Sequence, residues 1–122
     1  MAKTRVLIID DEIEYVGILR DRLEFEGFEV ESATDGFVGL EMIRANKPDV
    51  VLLDVMIPKQ DGFTIFKCML DEPAIAHVPV IFVSAYGRDI SGDKWELFDK
   101  APFLRKPFDV DELIALIGEL VK

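Results

Sequence analysis

One cysteine in 122 residues, Cys68, rules out an intramolecular disulfide and suits a reducing compartment. No apolar run approaches the roughly 20 residues that a membrane helix needs. Nor does a signal-peptide core follow Met1-Ala2-Lys3-Thr4. A cytoplasmic location is therefore expected. Cations are scarce: 14 Lys and Arg stand against 24 Asp and Glu, a formal charge of −10. Phosphate contacts need clustered Lys and Arg, so direct nucleic-acid binding by this chain is not expected, and an anionic membrane surface is disfavoured. No Gly-rich dinucleotide loop, Walker loop, linker, repeat or low-complexity segment interrupts the chain. With half of its residues apolar, it is expected to fold as one globular domain over 1–122.

What is present is an alternation of strand and helix patterns. Arg5 to Ile9, Val50 to Leu53 and Val80 to Val83 are short continuous apolar runs, the pattern of parallel strands buried on both faces. Phe28 to Ala33 alternates, and Phe103 to Arg105 is a shorter strand. Between them, Ile13, Val16, Leu19 and Leu23 mark a helix stopped by Gly27, and Phe37, Leu40 and Ile43 one ended by Asn46 and Pro48. Asp61 is placed to cap a helix carrying Ile65, Phe66 and Met69, which Pro73 ends. Residues 87–100 form a weaker helical pattern, interrupted by Ser91-Gly92 and spaced mainly by Trp95 and Phe98. In the last helix, Asp109 and Glu112 read like a capping box ahead of the stripe Leu113, Ile114, Ile117, Leu120 and Val121. The prediction is an α/β doubly wound, five-stranded parallel sheet with five helices.

Each strand but the second runs into polar residues: Asp10-Asp11, Asp54, Ser84 and Lys106-Pro107. Ligands of open parallel sheets sit outside the carboxyl ends of the strands. Carboxylates, a hydroxyl and an ammonium thus converge on one edge. Taken with Met56, Pro58 and Asp61-Gly62 after Asp54, Ala85 after Ser84 and Phe108 after Lys106-Pro107, this order resembles the receiver domain of two-component response regulators across essentially the whole chain.

The resemblance implies strand order 2-1-3-4-5 and a role for each of these residues. Asp54 would be the nucleophile that accepts a phosphoryl group as an acyl phosphate. Mg²⁺ (or Mn²⁺) would be held by Asp11, Asp54 and the backbone carbonyl of Met56, with Asp10 acting largely through water. Adjacent acids otherwise serve as a cap for the first helix. Lys106 would neutralise a phosphoryl oxygen, and a cis Lys106-Pro107 bond would turn it over the sheet edge. Ser84, by itself a turn former, would offer its hydroxyl to another oxygen. Phe103 would be the aromatic that swings inward with Ser84, or else plain core packing. Met56 and Tyr86 would flank the site and set the lifetime of the phosphoryl group. Crowded carboxylates are expected to raise at least one acid's pKa in the absence of metal. His77 and Cys68 are expected to be a loop and a packing residue.

The implied partners are a sensor histidine kinase or a His-phosphotransfer protein, and a downstream protein target. With the chain ending at Lys122, no output domain is expected within it. Asp99-Lys100-Ala101-Pro102 departs from the family's usual stretch, and the last helix has no Arg. Both departures remove partners of the salt-bridged dimer of DNA-binding relatives. An Mg²⁺-dependent phosphohydrolase with an aspartyl-phosphate intermediate is the main alternative. It would carry a second Asp two residues after its nucleophile, where this chain has Met56. A flavodoxin-like cofactor binder is disfavoured because Asp10-Asp11-Glu12 would repel phosphate. A receiver-shaped module that is never phosphorylated would not need the acidic set.

Overall fold

A computed structural model describes residues 3–57, 61–85 and 101–121. Five strands form one parallel sheet: β1 (Arg5–Ile9), β2 (Glu29–Ala33), β3 (Val50–Asp54), β4 (Val80–Ser84) and β5 (Phe103–Arg105). Their order is β2-β1-β3-β4-β5, as the resemblance implies. Helices α1 (Ile13–Phe25), α2 (Gly36–Asn46) and α3 (Gly62–Asp71) and a C-terminal helix (Val110–Leu120) cover its faces. The helical pattern at 87–100, with Trp95 and Phe98, lies outside the described residues, as do Pro58 and Tyr86.

The continuous apolar runs are explained by what each face meets. Leu7, Ile9, Val51, Leu53 and Phe82 join the side chains of α2 and α3 in one buried cluster. Val6, Ile8, Val50, Leu52, Ile81, Val83 and Leu104 join α1 and the C-terminal helix in a second. Successive strand residues point to opposite faces, so a strand sandwiched between helices has no polar side to spare. Phe82 is fully buried and lies 5.5 Å from the ring of Phe63 and 5.2 Å from that of Phe66. Burying a side chain of that size contributes roughly 2–3 kcal/mol.

Helix ends follow local chemistry. Asp61 accepts from the Thr64 amide at 2.9 Å, the expected N-cap, and Asp35 caps α2 by accepting from Val38 at the same distance. Asp109 caps the C-terminal helix through the Asp111 amide, so the cap is a short Asx-type turn rather than the reciprocal box with Glu112. Gly27 after α1 has φ +99, which only glycine adopts without strain. After α2 the turn is made instead by Lys47 at φ 45, whose amide bonds the Ile43 carbonyl.

Candidate functional site

The parallel register delivers the polar residues together. Asp54 ends β3 opposite Val83, Ser84 ends β4 opposite Arg105, and the Lys106 amide donates to the Ser84 carbonyl at 2.7 Å. Asp10 leaves β1 with its amide bonded to the Ala33 carbonyl at 3.0 Å. Asp10, Asp54 and Ser84 are the polar residues that the described fold buries, at 1, 5 and 0 % exposure. His77 lies exposed in a turn and Cys68 is half-buried on α3, both as expected.

Each buried carboxylate is oriented by its own chain. Asp10 Oδ1 accepts from the Glu12 amide at 2.9 Å, and Asp54 Oδ1 from the Met56 amide at 3.1 Å. That leaves Asp10 Oδ2 and Asp54 Oδ2 turned toward a common point. Lys106 Nζ occupies it, 2.7 Å from Asp10, 3.2 Å from Asp54 and 2.8 Å from Glu12 Oε1. The Lys106–Pro107 bond is cis.

The acids do not serve as the helix cap. Glu12 occupies the N-cap position of α1 but makes no side-chain cap hydrogen bond; its carboxylate goes to Lys106 instead. Ligand oxygens of Asp10, Glu12 and Asp54 lie within 4.8 Å of one another. Asp11, implied as a direct metal ligand, is exposed and lies outside this group, which includes Glu12. Met56 follows Asp54 as required, with its side chain 57 % exposed, and it engages Asp54 through its amide.

Two residues escaped the sequence reading. Glu12 is one. Tyr15 is the other: its ring lies under Lys106 Nζ, 4.5 Å from the centroid, and meets Phe108 edge-on at 6.4 Å. Their spacing held a signal, because residues three apart on a helix share a face. Their target, however, lies about ninety positions further along the chain.

Burial is the main cause that pushes Asp54 up, to about 6. The Met56 amide opposes it, the Asp10 charge adds to it, and Lys106 draws it down. One acid is thus raised, as expected, but desolvation outweighs the mutual repulsion of the carboxylates. Burial draws Lys106 down, yet its hydrogen bonds to Asp10 and Glu12 and the charges of Asp54 and Asp10 leave it higher than an ordinary lysine. Tyr15 is raised, chiefly by burial, so its phenol stays neutral. At neutral pH the site holds an ionised Asp54 beside a charged ammonium.

Phe103 pairs with Phe82 in register and packs half-buried against the core from β5.

Comparison with known proteins agrees with this geometry. Residues 6–118 match the response regulator receiver domain family. The chain is 36 % identical over 120 residues to the DNA-binding dual master transcriptional regulator RpaA of Synechocystis. It is 37 % identical over 120 residues to the response regulator PleD of Caulobacter vibrioides. Each match covers 97 % of this chain but only 49 % of RpaA and 26 % of PleD, so the chain spans half or less of these relatives. The Francisella response regulator 1452 receiver domain superposes with a TM-score of 0.84 at 30 % identity, covering 98 % of this chain and 97 % of that one. A receiver domain protein from Methanospirillum hungatei gives 0.86 at 26 % identity, covering 98 and 94 %. No helix among the described residues is long and apolar enough to cross a membrane. Fold, site order and sequence similarity together make this chain a member of the response regulator receiver domain family.

Proposed function

We propose that the chain accepts a phosphoryl group on Asp54 from a phosphohistidine of a sensor kinase or phosphotransfer protein, with Mg²⁺, and signals by changing shape. The observation that carries this reading is the convergence of Asp54 Oδ2, Asp10 and Glu12 on the Lys106 ammonium at one sheet edge. Asp54 is buried yet largely ionised at neutral pH, as a nucleophile must be. Its Oδ2 forms the new bond to phosphorus as the bond from phosphorus to the imidazole nitrogen breaks. The electron pair leaves with the imidazole, which then takes a proton from solvent.

The donor set fits a hard divalent cation. Carboxylate oxygens suit Mg²⁺ or Mn²⁺, and a cation already sits among them as the Lys106 ammonium. Asp10 and Asp54, with Glu12 or Asp11 from the start of α1 and the Met56 carbonyl, would hold the ion. When bound, it supplies positive charge against the phosphoryl oxygens. Lys106 then neutralises a phosphoryl oxygen rather than Glu12, Ser84 offers its hydroxyl to another, and Phe103 follows Ser84 inward. Exposed Ile13 and Ile18 beside Glu12 suit a protein that brings its phosphohistidine to this edge. By the family resemblance, Met56 and Tyr86 (the latter outside the described residues) would flank the water that hydrolyses the product; Met56, apolar at its tip, would orient that water poorly, so loss is expected to take many minutes. Met56→Asn with Tyr86→Glu should hasten it, as read from decay after the donor is removed.

The deciding experiment is intact mass after incubation with acetyl phosphate and Mg²⁺. One added phosphoryl group is expected, absent from Asp54→Asn. An unchanged wild-type mass, or equal labelling of the variant, rejects the assignment. Lys106→Ala is expected to keep partial labelling but lose the conformational response, because nucleophile and metal ligands survive.

A further inference from the structure

We infer that Tyr15 is a positioning residue for Lys106, its ring face fixing where the ammonium rests and so how readily Asp54 accepts a phosphoryl group. The inference rests on the roles of Asp54 and Lys106 proposed above. A lysine side chain is flexible and its ammonium has no preferred direction. Three carboxylates around it supply attraction but not a unique position: the ammonium lies 2.7 Å from Asp10 and 2.8 Å from the exposed Glu12, both nearer than Asp54 at 3.2 Å. A ring face 4.5 Å away closes one side of that space and attracts the charge. Lys106 is thereby kept within 3.2 Å of Asp54 Oδ2, the oxygen that the Met56 amide leaves available.

The ring is itself fixed from both ends of the chain. Tyr15 stands one turn along α1 from Glu12, and the edge-on contact with Phe108 ties it to the loop that carries Lys106. Its hydroxyl is buried without a hydrogen-bond partner among the described residues. A buried hydroxyl left unpaired costs stability. The contact with Lys106 is made by the face of the ring.

The full chain carrying Tyr15→Phe and, separately, Tyr15→Leu tests this. Wild type and the Phe variant should show an upfield ring-current shift of the Lys106 ε-methylene protons by NMR, and the Leu variant should lose it. Phosphorylation by acetyl phosphate with Mg²⁺ should be preserved within about twofold in the Phe variant. In the Leu variant it should slow by about five- to thirtyfold, the factor that a partly desolvated cation–ring contact corresponds to. Should the Leu variant fail to fold, Tyr15→Met removes the ring with a more adaptable side chain and carries the same expectation. A Leu or Met variant that labels at the wild-type rate overturns the inference, and so does a Phe variant as slow as the Leu variant. Wild type that shows the ring-current shift but never labels instead overturns the proposed function of Asp54 and leaves the contact standing.

Discussion

Burial of Asp54 carries a cost that depends on pH. Its carboxyl titrates at about 6 in the folded chain against 3.8 ordinarily, so between those values the folded state keeps a proton that the unfolded state has lost. The penalty is absent below pH 4, grows as the pH rises through 6 and is constant above, reaching on the order of 2–3 kcal/mol. Asp54→Asn removes the charge and keeps the shape. Without metal it should melt several degrees above wild type at pH 7.5, and the gap should close by pH 4 in thermal melts. A variant less stable than wild type at pH 7.5 would mean that the contact with Lys106 outweighs desolvation. Tyr15→Phe should likewise be neutral or stabilising by up to about 1 kcal/mol, because it removes a hydroxyl that the described structure leaves unpaired. Chemical denaturation of the two proteins side by side reads that difference.

At the scale of elements, glycines separate close approach from mere flexibility. A Cβ on Gly62 would lie 2.5 Å from the Asp54 carbonyl oxygen and 3.0 Å from Val55 Cα, backbone atoms that cannot step aside. α3 therefore starts hard against the end of β3, tied by the Gly62 amide to the Val55 carbonyl at 2.8 Å. Gly62→Ala should cost about 1–3 kcal/mol and slow labelling of Asp54, since the strand end that carries it must move. Gly118 in the C-terminal helix meets nothing within 4 Å, and Gly118→Ala should stabilise by about 0.5–1 kcal/mol. A denaturant series on both variants checks the opposite signs. The elements that sequence revealed best were those with one dominant cause. Strands buried on both faces are continuous apolar runs, and the caps Asp61 and Asp109 are local. Glu12 was harder to read, because an acid at a helix start normally has a local use, and what diverts it is an ammonium brought in by β5. Tyr15 looked like one more member of α1, whose apolar residues lie on both faces: Val16, Leu19 and Leu23 inside, Ile13, Ile18 and Phe25 outside. With no single apolar stripe, α1 gave no sign that one ring belonged to the site.

For the whole molecule, a formal charge of −10 makes any cation stabilising through screening, so magnesium must be judged against an equal ionic strength of sodium. Binding at the acidic edge predicts a higher melting temperature in MgCl₂ than in matched NaCl for wild type, and a smaller difference for Asp54→Asn. Equal melting in the two salts would leave only general screening. The order β2-β1-β3-β4-β5 also has a consequence for synthesis, when the N-terminal part of a chain emerges first. β1 pairs with β2 on one side and β3 on the other, β4 adds to β3, and the three-residue β5 comes last. Asp10, Glu12 and Asp54 all precede Lys106 in the chain, so the acids of the cluster are synthesised before the ammonium that meets them. The final strand is only three residues long, but it leads into the ammonium that meets all three acids, so the strand that completes the sheet also brings the charge that offsets part of theirs.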